Sequence, residues 1–172
     1  GLNNKGVLKM IKKQKDLNFL PGSDYTYSNT NYTILTKIVE EISGQSFQEY
    51  SQALFNELGM TKTAFCDDYM AVIPQKALPY TSWDGSQWKQ WPMITDLHAD
   101  GFLYTTLNDQ LKWEQKVQNL DQESYIFKSQ SRISDDIAHH YGFGVEFHTL
   151  FGHDVMLRAC ATGSYNGQFC TI

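Results

Sequence analysis

Three features that would assign a chain to a particular class of protein are missing from this sequence of 172 residues. No apolar run approaches the roughly 20 residues that cross a bilayer, so no membrane segment is predicted. Basic residues are in deficit, with 14 Lys and Arg against 19 Asp and Glu, and the net charge of −5 does not favour a nucleic-acid partner. The three cysteines, Cys66, Cys160 and Cys170, show neither a metal-binding spacing nor an even disulfide framework, so each is predicted to be a small buried hydrophobe.

Histidine provides no metal-binding pattern either. No two of the five histidines have the i, i+4 spacing of a helical His-Glu-x-x-His motif. We therefore predict neither a metal nor another cofactor. The N-terminal residues carry no initiator Met and no signal peptide, and this leaves localisation open.

The composition that is present is typical of a soluble globular protein. Hydrophobic residues make up 41% of the chain, and ten Tyr, ten Phe and four Trp argue against disorder. The length is that of one domain. Helical patterns come first and alternating patterns later, which predicts an α+β fold with a helical region over about 1–125 and sheet strands over about 140–172.

Two consecutive helices are predicted in the first part of the chain. One runs from about Asn31 to Ser43, ends at Gly44 and carries an apolar stripe. The stripe consists of Ile34, Leu35, Ile38, Val39 and Ile42. Ser46 and Glu49 form a capping box for the next helix, which Gly59 stops.

Two further helices and a hairpin complete the helical region. A short first helix is predicted around residues 7–11, and residues 106–109 cap a helix that extends to about Leu120, with Leu107, Leu111 and Val117 facing inward. Between them, residues 67–97 read as a loop or a hairpin around Asp84-Gly85.

The C-terminal part shows a period of two. Apolar residues alternate at Tyr141, Phe143, Val145 and Phe147, and again at Val155 and Leu157. Turn residues 152–154 separate the two runs, which predicts an antiparallel hairpin. A further strand begins at Gln168, after a turn at Asn166-Gly167.

One triplet contains residue types that are suited to acyl-transfer catalysis. Tyr27-Ser28-Asn29 lies on a loop just before an amphipathic helix, and this places a phenol and a carboxamide side by side. In an acyl-transfer site a phenol can relay a proton, while an amide can grip a substrate carbonyl and a neighbouring cation.

Together with four other segments, this triplet resembles the serine β-lactamase and penicillin-binding protein superfamily, in its class C β-lactamase, DD-carboxypeptidase and esterase branch. The segments are collinear and cover nearly the whole chain. They are Phe19–Asn29 with the following helix, ISGQSF at 42–47, LGMTKT at 58–63, DGFLYTTLND at 100–109 followed by Trp113, and YGFG at 141–144. The resemblance implies a β-lactamase/transpeptidase-like fold, of which this chain holds the helical region and part of an antiparallel sheet.

The resemblance also implies a three-part site. Tyr27 would be the proton-relay phenol and Asn29 the amide that contacts the substrate. Thr162, Gly163 and Ser164 fall where the family has its Lys-Thr-Gly or His-x-Gly strand, which binds an anionic substrate end and provides an oxyanion N–H. Ala161 replaces the usual Lys or His, and its methyl group cannot attract a carboxylate.

The first part of that site is a Ser-x-x-Lys at the start of a helix. The one such tetrad here, Ser86 to Lys89, follows Asp84-Gly85 and reads as a hairpin, so we interpret it as coincidence. We therefore expect residues 1–172 to be a single partial domain without the first-motif helix and the C-terminal strand and helix.

The expected function is that of a fragment of a serine hydrolase, acting through an acyl-enzyme on a β-lactam, a D-Ala peptide or an ester, and inactive as this chain alone. The alternative is a non-catalytic binding or scaffold relative, which Ala161 favours. The partner would be a small-molecule or peptide substrate. Without the nucleophile helix, apolar surface around Ile34–Ile42 would be bare and would favour self-association.

Overall fold

The computed structural model describes residues 2–82, 84–91, 94–121, 123–128, 131–132, 140–159 and 168–171. Within these ranges the helices are α1 (Asn4–Ile11), α2 (Asn29–Ser43), α3 (Phe47–Glu57) and α4 (Leu107–Gln118), with a 3-10 turn at Tyr125–Phe127. The strands are β1 (Ala64–Phe65), β2 (Tyr80–Thr81), β3 (Lys89–Gln90), β4 (Leu103–Tyr104), β5 (Ser131–Arg132), β6 (His140–Tyr141), β7 (Glu146–Leu150), β8 (His153–Ala159) and β9 (Gln168–Thr171). The predicted α+β fold class is confirmed, although the short strands β1 to β4 lie within the region predicted as helical. Among these residues no helix combines the length and the apolar character needed to span a membrane.

The helix ends follow local capping chemistry. The capping box of α3 forms as predicted, with the Ser46 hydroxyl accepting from the Glu49 N–H and the Glu49 carboxylate accepting from the Ser46 N–H. Gly44 ends α2 in the left-handed conformation, at a φ of 70°. The start of α2 lies at Asn29 rather than Asn31, because Ser28 caps the helix in extended conformation without a side-chain hydrogen bond.

The apolar pattern predicts the inward face less well than it predicts the helices. In α4, Val117 is buried at 3% exposure, but Leu107 and Leu111 are 72% and 52% exposed, so their predicted inward position is wrong. The face of α4 that is buried instead carries Asp109. In α2 three of the five stripe residues, Leu35, Ile38 and Ile42, are exposed to solvent, as expected from the sequence, whereas Ile34 and Val39 are half-buried.

A five-stranded antiparallel sheet in the order β5-β6-β7-β8-β9 forms the second part of the molecule. The predicted hairpin is present as β7–β8, but its turn is Phe151-Gly152, where both residues have positive φ, and His153 already pairs with Leu150. The alternation over 141–147 is not one strand. It is broken by a turn in which the Gly142 N–H donates to the Val145 carbonyl at 2.8 Å, and this turn joins β6 to β7.

A buried carboxylate joins α4 to the segment between α3 and β1. Asp109 is 2% exposed and accepts from the Lys62 N–H at 2.7 Å and the Thr63 hydroxyl at 3.0 Å. Lys112 bonds the same side chain at 2.9 Å and also donates to the Gly59 carbonyl. Burial would raise the pKa of Asp109, but the hydrogen bonds from Lys112, Lys62 and Thr63 outweigh it and hold the pKa below its ordinary value.

We expect Asp109→Ala to lower the free energy of unfolding by about 2 to 3 kcal/mol, because it leaves the Lys62 N–H and the Thr63 hydroxyl without their acceptor. Urea unfolding at pH 7 measures this loss. Because the folded pKa is lowered, the wild-type advantage should persist above the unfolded pKa of about 4 and disappear as the pH falls through the folded pKa. The exposed Asp67 is the control, and Asp67→Ala should change stability by less than about 0.5 kcal/mol. Equal effects of the two substitutions would refute the role of Asp109.

Gly142 permits a close approach inside the sheet. A Cβ added there would lie 2.7 Å from a Phe147 ring carbon and 3.0 Å from the Lys128 carbonyl oxygen. Gly142→Ala should therefore lower the free energy of unfolding by about 1 to 3 kcal/mol. Gly101 has open space around it, and Gly101→Ala should be close to neutral by thermal unfolding. A neutral Gly142→Ala would show that the turn moves away at little cost.

Candidate active site

The two residues that the triplet predicts lie together at the entrance to α2. Tyr27 is in the loop before the helix and is 49% exposed, and Asn29 is the first helical residue and is exposed. Both side chains are therefore open to a ligand. Ser28, between them, is the N-cap residue of α2 and has an extended backbone, so the loop ends at Ser28 and the helix begins at Asn29.

Two tyrosines that flank this triplet contact the sheet at one point. The Tyr32 and Tyr141 hydroxyl oxygens are 2.6 Å apart, and the Tyr25 and Tyr141 ring centroids are 5.4 Å apart. Tyr141 is the last residue of β6. Sequence reasoning missed these contacts, and the one signal available was the concentration of tyrosines around the triplet and in the YGFG segment.

The register of the sheet shows which strand ends lie beside Tyr141. Tyr141 pairs with Glu146 across the 142–145 turn, and Glu146 pairs with Leu157 of β8. β8 then ends at Ala159, which pairs with Gln168 at the start of β9. β8 therefore ends, and β9 begins, at the same end of the sheet as the turn that follows Tyr141.

The predicted third part of the site falls in that connection. Thr162, Gly163, Ser164 and Ala161 lie outside the described residues, so their roles remain predictions. The same is true of the turn predicted at Asn166-Gly167.

The Ser-x-x-Lys tetrad lies in a hairpin rather than at a helix start. β2 and β3 pair antiparallel, with Thr81 opposite Lys89. The Ser86 N–H donates to the Asp84 carboxylate at 2.9 Å, and this hydrogen bond lowers the pKa of Asp84. A serine held in this turn lacks the one-turn helical spacing that would bring a lysine to its hydroxyl.

A second group of polar residues is buried beside α1 and α3. His98 is 8% exposed and stacks on Phe47, and the Asn4 amide bonds both the N–H and the carbonyl of His98. Asp100 lies in a loop but is partly buried, and this burial raises the pKa of its carboxyl group above the ordinary value. Over the described ranges, no three His, Cys, Asp or Glu residues are grouped so that they could hold a metal ion.

Comparison with known proteins places the chain in a family. A family model described as Beta-lactamase matches residues 5–168, so the chain belongs to the β-lactamase family, and the resemblance seen in the sequence is confirmed. The chain is 32% identical over 164 residues to a D-aminopeptidase of Brucella anthropi and 27% identical over 160 residues to a D-aminopeptidase of Gluconobacter oxydans. These matches cover 87% and 89% of this chain.

Solved structures show the same fold. An octameric penicillin-binding protein homologue from Pyrococcus abyssi superposes with a TM-score of 0.81 at 22% identity, over 96% of this chain and 40% of that one. A D-stereospecific amidohydrolase from Streptomyces superposes with a TM-score of 0.78 at 17% identity, over 93% of this chain and 50% of that one. The chain also spans only 30% of the length of each D-aminopeptidase. The predicted β-lactamase/transpeptidase-like fold is thus confirmed for the part that this chain covers.

Proposed function

We propose that this chain supplies one wall of the active site of a serine hydrolase that cleaves amides or esters of D-amino acids through an acyl-enzyme. The observation that carries the proposal is the attachment of the Tyr27–Asn29 loop to the end of the sheet where β8 ends and β9 begins. In sequence, the predicted third part of the site, residues 162–164, lies between the end of β8 and the start of β9, which supports the proposal.

The proposed chemistry assigns a role to each part. A serine hydroxyl from a Ser-x-x-Lys helix, which we infer to lie in sequence outside these residues, attacks the substrate carbonyl. Its proton passes through the phenol of Tyr27 to the leaving amine or alcohol as the carbonyl–leaving group bond breaks. Asn29 holds the acyl part, and the backbone N–H of Ser164 stabilises the oxyanion. Water then cleaves the acyl-enzyme and regenerates the serine.

Ala161 narrows the substrate class. A Lys or His at this position would attract a substrate carboxylate, as in a β-lactam or a D-Ala-terminated peptide, but an alanine methyl group cannot. We therefore favour substrates without a free carboxylate next to the reacting bond, such as D-amino acid amides. The names of the relatives from Brucella anthropi and Streptomyces, a D-aminopeptidase and a D-stereospecific amidohydrolase, support this choice.

The test uses a longer protein that contains this sequence and a Ser-x-x-Lys helix, with D-alanine p-nitroanilide as the substrate. We expect Tyr27→Phe to lower kcat by about 10² to 10⁴-fold with little change in KM, because it removes the proton relay. Ser86→Ala is the control and should leave both constants unchanged, because Ser86 lies in the β2–β3 hairpin. Nitrocefin should be a poorer substrate than the anilide.

Two results would contradict the proposal. One is loss of activity in Ser86→Ala with full activity in Tyr27→Phe. The other is a stoichiometric covalent adduct of the purified chain alone with nitrocefin or p-nitrophenyl acetate, seen by mass spectrometry, because this chain should lack the nucleophile.

The alternative is a non-catalytic binding or scaffold protein of the same fold. Ala161 is the observation that favours it, because the third motif has lost its charged residue. The gene sequence upstream of residue 1 distinguishes the two proposals. A Ser-x-x-Lys at a predicted helix start supports the hydrolase, and a sequence without one supports the scaffold.

We also propose that the isolated chain self-associates through the exposed apolar face of α2, where Leu35, Ile38 and Ile42 are 51%, 46% and 82% exposed. The octameric state of the Pyrococcus abyssi homologue supports this.

Ile42→Glu should shift the chain toward monomer in light scattering at micromolar concentration, because it places a charge on that face. Val72 is 91% exposed outside the face, and Val72→Glu should have no effect. A monodisperse wild-type monomer would refute association.

A further inference from the structure

Three aromatic residues surround the candidate catalytic loop and share one contact point. Tyr25 precedes the Tyr27–Asn29 triplet and Tyr32 follows it, and both contact Tyr141. The contact from Tyr25 is made by its ring, which is tilted by 45° to the ring of Tyr141. The contact from Tyr32 is made by its hydroxyl group at 2.6 Å. The triplet is therefore attached to the sheet on both of its sides.

The helical geometry extends this attachment to Asn29. Tyr32 lies three residues after Asn29 in the first turn of α2, and side chains at this spacing are neighbours on a helix surface. The contact of the Tyr32 hydroxyl with Tyr141 therefore anchors the helix turn that also carries Asn29. Tyr27, half exposed in the loop, lies between the two attached residues.

The other side of the contact is held by strand pairing and by a turn hydrogen bond. Tyr141 is paired with Glu146, and the turn after it is closed by the hydrogen bond from the Gly142 N–H to the Val145 carbonyl. Gly144 in this turn adopts a φ of +83°, and a Cβ there would lie 3.6 Å from the Tyr32 hydroxyl. The turn thus packs closely against Tyr32, and Tyr141 presents its ring and hydroxyl from a defined position.

We propose that Tyr141 is a positioning residue, which fixes the Tyr27–Asn29 loop against the sheet through the ring of Tyr25 and the hydroxyl of Tyr32. The role in catalysis rests on the proposed hydrolase function. The position of the loop itself is a separate claim, which can be tested on this chain without any substrate.

The test uses the purified chain with meta-fluorotyrosine placed at position 27 and read by fluorine NMR. In the wild type one narrow resonance is expected. Tyr141→Phe and Tyr32→Phe each remove one hydroxyl of the 2.6 Å pair and should broaden or split that resonance. The double substitution should match either single one, because both hydroxyl groups serve the same hydrogen bond.

Tyr80→Phe is the matched control. It makes the same chemical change in β2, at a tyrosine that is 57% exposed, and should leave the resonance unchanged. Far-UV circular dichroism verifies that every variant is folded. An unchanged resonance in both Tyr141→Phe and Tyr32→Phe would overturn the proposal. If a variant fails to fold, the other single variant decides the outcome.

Activity provides the second readout, in a longer protein with the Ser-x-x-Lys helix. Tyr141→Phe should lower kcat for D-alanine p-nitroanilide by about tenfold and change KM by less than about twofold, because misplacement of the relay group affects the reacting geometry. A changed resonance together with a wild type that hydrolyses no D-amino acid amide would refute the proposed function and support the loop attachment. An unchanged resonance refutes the attachment, whatever the activity.

Discussion

The hydroxyl pair between Tyr32 and Tyr141 connects residues that are 109 positions apart in the chain. It joins the first turn of α2 to the end of β6 and thereby brings the helical part of the chain to the sheet. The ring of Tyr25 meets the same residue from the loop before the helix. The position of the Tyr27–Asn29 loop relative to the end of the sheet where β8 ends and β9 begins depends on this contact, and the proposed active-site wall depends on that position.

Polar contacts also organise the helical part. Among the described residues the buried polar side chains are Asn4, Thr33, Thr36, Ser51, Thr63, His98 and Asp109, and the buried apolar ones are Phe55, Met60, Val117 and Val155. Asn4 bonds the backbone of the loop at His98, and Asp109 bonds the backbone at Lys62. Left unpaired, the buried Asn4 amide and Asp109 carboxylate would be costly, so each of these two side chains favours one arrangement of the two segments that it joins. The exposed apolar residues of α2 and α4 contribute less to the packing, namely Leu35, Ile38, Ile42, Leu107 and Leu111.

The sequence indicated where two candidate site residues lie, but their roles remain predictions. Tyr27 and Asn29 are singled out by the triplet and by the resemblance of five collinear segments, and both side chains are exposed at the start of α2. The hairpin around Ser86 was predicted correctly because Asp84-Gly85 is a local turn signal. The roles of Thr162, Gly163 and Ser164 remain predictions. The inward position of Leu107 and Leu111 was wrong, because periodicity shows that a helix has an apolar face and cannot show whether another element covers it.

The sequence by itself determined the local features, namely the capping box of α3, the glycine that ends α2, the β7–β8 hairpin and membership of the family. Each of these depends on residues a few positions apart or on an ordered series of short segments. Only the tertiary structure decided that Asp109 is buried against Lys62 and that Tyr141 meets both Tyr25 and Tyr32. These contacts join residues from 47 to more than 100 positions apart, and no local pattern encodes which distant partner a polar side chain will meet.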